Sequence, residues 1–115
     1  MAFCIDAYEF PNQAGVAARV NVTWPEAKEA CEKPGKRLCT EEEWEKACTS
    51  GQGIGELPGD VAEWTATPYD KSDMTYKGGS FDRSDSPASC ASRKGAPPAK
   101  RLPGVGFRCC AGVKP

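Results

Sequence analysis

Thr40-Glu41-Glu42-Glu43-Trp44-Glu45-Lys46-Ala47-Cys48 opens with the signature of a helix N terminus. A threonine oxygen can accept the backbone N–H three residues on, a glutamate there can return the bond, and the carboxylates suit the positive end of the helix dipole. A helix is therefore predicted from this box to about Thr49. Trp44, Ala47 and Cys48 fall at i, i+3 and i+4, which places the thiol on the apolar, buried face. The same design stands upstream, where Thr23-Trp24-Pro25-Glu26 is a capping box with proline tolerated in the first turn, and Pro34-Gly35 stops the helix near Lys33. Ala30-Cys31 and Ala47-Cys48 occupy the same offset, seven and eight residues after each capping threonine. Each helix offers one inward cysteine.

Outward from the helices, Phe3, Ile5 and Ala7 alternate with Cys4, Asp6 and Tyr8, which predicts a half-buried strand over residues 2–10, ended by Pro11 and Asn12. After Cys48, glycines and prolines separate short apolar or aromatic runs at Val61 to Thr65, Met74 to Phe81, Cys90 to Arg93 and Val105 to Val113, which read as short strands and ordered loops. The order strand, helix, helix, then strands and loops implies an α+β domain, one unit over residues 1–115, whose last strand pairs with its first.

The chain has 115 residues, of which 22 are glycine or proline and 39% are hydrophobic, so its core is thin and something else must help hold it together. Seven cysteines supply the means: Cys4, Cys31, Cys39, Cys48, Cys90, Cys109 and Cys110. Without histidine and without any Cys-x-x-Cys pair, structural disulfides are expected rather than zinc. Seven is odd, so at least one thiol lacks a partner within the chain. A net charge of −1 with interspersed signs gives no basic stripe for nucleic acid and no polybasic run for a membrane. Met1 to Phe10 lacks the basic start and long apolar run of a signal peptide. Together with the cysteine density, this is read as a mature fragment of a secreted, cell-surface or periplasmic protein, a cytoplasmic location staying open.

Five strings taken together resemble one family: Phe3-Cys-Ile-Asp-Ala-Tyr-Glu-Phe-Pro-Asn12, Gly35-Lys-Arg-Leu-Cys-Thr-Glu-Glu-Glu-Trp-Glu-Lys-Ala-Cys48, Gly59-Asp-Val-Ala-Glu-Trp64, Gly78-Gly-Ser-Phe81 and Gly106-Phe-Arg-Cys109. Their order and content resemble the formylglycine-generating enzyme, or sulfatase-modifying factor, family. The resemblance implies a C-type-lectin-like fold: a small twisted antiparallel sheet with two helices and long loops. It also implies a shortened member, because only Thr49 to Pro58 connects the second helix to the Gly-Asp-Val-Ala-Glu-Trp string.

The active oxidases of that family hold copper between two cysteines that follow the Gly-Gly-Ser string, and here Phe81 to Ser89 contains none. Soft thiolates are what Cu(I) chemistry requires, and Asp or Ser does not replace them. Related sulfoxide synthases hold iron with three histidines, of which this chain has none, and there is no Ser/His or Cys/His nucleophile pair. No catalytic residue is assigned and no copper is expected. The resemblance further implies disulfides Cys31 to Cys109 and Cys48 to Cys90. For the remaining three, a Cys4 to Cys110 bond across the terminal strands is preferred and Cys4 to Cys39 stays open; in the first case Cys39 is the free or intermolecular thiol.

Glu56, Gly59, Val61 and Glu63 resemble the family's calcium loop, although Glu63 can equally serve as a hydrogen-bond acceptor. Arg37 and Arg108 are expected to make ion pairs that hold strand ends. Ligand contacts are expected from Tyr69 and Asp70, Asp82 and Arg83, and the segment Lys94 to Arg101, which mix aromatic, acidic and basic groups on a rigid frame. The function expected is a non-catalytic binding module for a protein or glycan partner. The alternatives are a self-assembling extracellular structural subunit, joined through Cys39 or an open strand edge, and a residual copper-dependent oxidase.

Overall fold

The computed structural model describes residues 3–50, 62–78 and 90–112. In chain order the elements are β1 (Phe3–Ile5), α1 (Trp24–Glu32), β2 (Arg37–Leu38), α2 (Glu41–Ser50), β3 (Ala62–Pro68), β4 (Met74–Lys77), β5 (Arg93–Ala96), β6 (Val105–Phe107) and β7 (Cys109–Gly112). Both predicted helices form where their caps place them. Thr23 Oγ1 accepts from Glu26 N–H at 3.2 Å while Glu26 accepts from Thr23 N–H at 3.0 Å. The Thr40 box closes in the same way, at 3.1 and 2.9 Å. At the far end of α1, Gly35 takes φ +86 and donates to Glu32 O, and Lys36 N–H reaches Cys31 O. This paired closure needs a left-handed residue, and only glycine takes that conformation without steric cost.

Among the described residues the strands form two sheets, one of them with a parallel pair, where a small antiparallel sheet was expected. The smaller has the order β1-β7-β2, the larger β5-β4-β3-β6, and β3 pairs with β6 in parallel. The cause is Arg108, which divides the Val105 to Val113 run: residues before it join the larger sheet and residues after it the smaller. β7 does pair antiparallel with β1, the first strand with the last. β1, however, is three residues long, not nine. Arg108 accounts for that as well, because its guanidinium donates to the carbonyls of Asp6 and Ala7, each at 3.1 Å, taking acceptors that a longer ladder would use. Beyond Ile5 the chain turns back through Asn12, at φ +64, whose side chain accepts from Tyr8 N–H. β4 stops before Gly78, at φ +105, and β5 starts three residues later than the Cys90 to Arg93 run suggests.

Between the sheets and α1 the core gathers Trp64, Phe107, Leu38, Val22, Ala27, Val105 and the Cys31 and Cys109 sulfurs, with Phe10 stacked on Phe107 at 4.8 Å. A smaller cluster joins Trp44 to Cys48 and Cys90. All three tryptophans pack inward or half-inward, as core rather than platform. Many of these core side chains are alanine or cysteine, which is the packing expected of a chain that relies on cross-links.

Candidate functional site

Three disulfides tie the frame: Cys31–Cys109, Cys39–Cys110 and Cys48–Cys90, with Cα separations of 5.5, 4.8 and 5.7 Å. The first and third are the pairs that the family resemblance implies. The preferred Cys4 to Cys110 bond and the free Cys39 are corrected: Cys39 takes Cys110, and Cys4 is the exposed free thiol. Register explains the exchange. Ile5 lies opposite Cys110 and Cys4 opposite Ala111, and because successive strand residues alternate faces, Cys4 and Cys110 point to opposite sides of the sheet. On the other flank of β7, Arg37 lies opposite Cys110, so Cys39, two residues on, returns to the face of Cys110.

This allocation decides what the thiols can hold. A two-thiolate copper site needs two free cysteines, and with six of the seven cross-linked the chain retains only Cys4.

Glu63 and Arg108 form a fully buried pair, with Arg108 Nε 2.9 Å from one Glu63 oxygen and the terminal nitrogen 3.2 Å from the other. Trp44 Nε1 donates to the same carboxylate at 3.1 Å. Two charges and an indole thus join α2, β3 and the β6–β7 junction, and Glu63, expected as a calcium ligand, is committed to them. Glu56, Gly59 and Val61 lie outside the described residues, among which no group of three or more metal-ligating side chains gathers. Arg37 makes a bidentate pair with Glu43 at 2.7 and 2.6 Å. Burial alone would raise the Glu43 pKa, but the bonds from Arg37 and the Thr40 N–H hold it below its ordinary value.

Of the expected contact residues, Tyr69 and Asp70 sit together at the β3–β4 turn. Tyr69 is 41% exposed, its ring over Gly95 of β5 and 4.7 Å from the Arg93 guanidinium. Asp70 accepts from Ser72 N–H at 2.9 Å and Asp73 N–H at 2.8 Å, and these bonds lower its pKa. Lys94 is exposed on β5, and Asp82 and Arg83 lie outside the described residues. Arg101 is clamped to Glu26 at 2.7 and 2.8 Å and to Asn21 O at 3.3 Å.

Sequence reasoning missed Arg93, Glu41 and Lys77. Arg93 binds both Glu41 oxygens and Thr75, while Lys77, with no exposed side-chain surface, lies 2.6 Å from Glu45, 3.8 Å from Glu41 and 5.7 Å from the Trp44 ring centre. No local signal marks Lys77, because a lysine in an alternating strand reads as solvent-facing. Glu41 was read only as a helix-dipole carboxylate.

Two predictions arise here. Gly95→Ala puts a methyl into the Tyr69 ring, so the ring must leave Arg93. Because the clash reaches the Tyr69 Cβ, which rotation of the ring cannot clear, NMR should show the ring-current shift of the Arg93 side chain collapse together with a loss of stability, and an unmoved shift would contradict this packing. Glu26 has its pKa lowered from 4.5 to about 2, first by the Arg101 hydrogen bond and then by the Thr23 N–H. A lowered folded-state pKa favours folding above pH 4.5, and that contribution is lost as pH falls through about 2. A carboxyl-carbon NMR titration should therefore place Glu26 near 2, and Arg101→Ala should bring it back toward 4.5; a wild-type midpoint already at 4.5 would be the contrary result.

The fold and its cross-links define a disulfide-framed α+β domain of the C-type-lectin-like kind. The family model of the sulfatase-modifying factor enzyme 1-like domain matches residues 15–55 and 50–113, nearly the whole chain, and the protein belongs to this family. The two matched segments meet at residues 50–55, where the connection between α2 and β3 is short for the family. No curated protein matches the chain. Three disulfides suggest an oxidising, extracellular-type environment. Among the described residues, no helix is long and apolar enough to cross a membrane.

Proposed function

We propose that this protein is a non-catalytic binding module, secreted, cell-surface or periplasmic, which presents loops on a cross-linked frame to a protein or glycan partner. The observation that carries the reading is the thiol allocation: six cysteines hold the frame, and one free thiol is left where oxidase chemistry of this family requires two. The exposed Tyr69, held in place by Arg93 and Gly95, gives the frame a preorganised contact group. Competition with a Cu(I) chelator, followed by incubation with a cysteine-containing sulfatase peptide, tests the claim. The expected result is no tight Cu(I) binding and no aldehyde product; stoichiometric copper with turnover would restore the oxidase.

Calcium in the 56–63 loop is part of the same reading. Glu56 and the carbonyls of Gly59 and Val61 supply hard oxygen donors, while Glu63 is engaged by Arg108. A melting temperature raised by Ca²⁺ and restored by chelator would support it, and an unchanged one would remove the ion.

A second reading, self-assembly, draws support from Cys4. Its thiol is exposed on β1, which among the described residues is one of the two edge strands of its sheet. Covalent dimers on non-reducing gels that vanish in Cys4→Ser would favour assembly over the monomeric module.

A further inference from the structure

Asn21-Val22-Thr23 has the form Asn-x-Thr, with no proline between, that marks an asparagine able to carry an N-linked glycan. So short a motif gains weight from its setting, which has to be a surface loop in a protein that passes through an oxidising compartment. The motif leads into α1, and Asn21 is exposed there at φ +62. The three disulfides meet the second condition.

Each residue of the motif is held at its backbone. Asn21 O accepts from Arg101 at 3.3 Å, Val22 O accepts from Trp64 Nε1 at 3.1 Å, and Thr23 closes the capping box of α1 with Glu26 at 3.2 and 3.0 Å. The Asn21 side chain takes no part in this: among the described residues its amide makes no hydrogen bond. Asn12, the other asparagine of the chain, is a useful contrast. It has a similar φ of +64, but its side-chain oxygen accepts from Tyr8 N–H at 3.0 Å, which gives asparagine a structural reason to stand there. At position 21 glycine would make the left-handed turn at lower cost, and the cap uses only Thr23 and Glu26, so the amide is left without a structural role. Modifying it breaks no bond of the fold.

We infer that Asn21 is an N-glycosylation site whose donor is an oligosaccharide carried on a polyprenyl pyrophosphate. A bond forms between Asn21 Nδ2 and the anomeric carbon of the first sugar while the bond from that carbon to the pyrophosphate oxygen breaks. The pyrophosphate leaves with the electron pair, and the amide nitrogen gives up one proton to a base of the transferase. Arg101, expected among the ligand contacts, then acts as the clamp that fixes the glycan's stem.

The inference rests on the extracellular reading, and secretion of the full chain from a eukaryotic host tests it. Mass spectrometry of the secreted protein should show a glycan that peptide N-glycosidase removes, leaving an aspartate at position 21 in the peptide map. Asn21→Gly, which suits the φ and lacks the amide, should be secreted at the mass of its sequence with the same three disulfides. A secreted, cross-linked parent without a glycan would overturn the site and leave the extracellular reading standing. A secreted parent that carries neither glycan nor disulfides would overturn both. A glycan that persists in Asn21→Gly would overturn the site as well, since it would have to sit elsewhere.

Discussion

Cys31→Ser is expected to leave the domain largely unfolded at physiological temperature. The Cys31–Cys109 bond closes a separation of 78 residues, which the chain-entropy account values at about 4 kcal/mol. A domain of this size has only about 5–15 kcal/mol in total, and its thin core gives no reason to expect the upper end. Both sulfurs are buried, at 0% and 1% exposure, so the substitution also leaves a hydroxyl and a thiol inside the main core. Chemical denaturation followed by circular dichroism would show the midpoint fall or the transition disappear. Cys4→Ser is the internal control, since its thiol is exposed and bonded to nothing, and its midpoint should match the parent. An unchanged midpoint in Cys31→Ser would mean that packing, and not the cross-link, holds α1 to β7.

Glu63→Ala is expected to cost about 3–5 kcal/mol, the magnitude for removing one partner of a buried ion pair. Neither side chain of the Glu63–Arg108 pair has exposed surface, and the truncation removes from the buried site the carboxylate to which both the guanidinium and the Trp44 N–H donate. Arg108→Ala should cost a similar amount, because it strands Glu63 and frees the carbonyls of Asp6 and Ala7. Glu63→Gln, which keeps an acceptor for Trp44 but removes the charge, should fall between Glu63→Ala and the parent. A loss under about 1 kcal/mol in Glu63→Ala, of the size seen for exposed pairs, would contradict the burial of this hub.

The helices were legible because their signals are local. A capping box is four residues long, and Thr23 and Thr40 each supply the bond that the box requires. The pairing of β1 with β7 was legible too, as was the burial of Cys31 and Cys48, which follows from helical spacing. Cys110 was misassigned because strand adjacency does not specify register, and one residue of offset sends Cys4 to the far face. The division into two sheets was hidden in Arg108, one polar residue inside an apolar run, whose partners are 45 and about 100 positions away in sequence. Glu63 was visible as a calcium-loop carboxylate or a hydrogen-bond acceptor, and its pairing with Arg108 was not.

The thiol allocation underlies both the frame and the proposal of a non-catalytic module, and peptide mapping after alkylation under non-reducing conditions tests it most directly. The expected map joins Cys31 to Cys109, Cys39 to Cys110 and Cys48 to Cys90, with the alkylating reagent on Cys4 alone. Reagent found on a second cysteine of the folded protein, or Cys4 recovered in a bond to Cys39 or Cys110, would contradict the account.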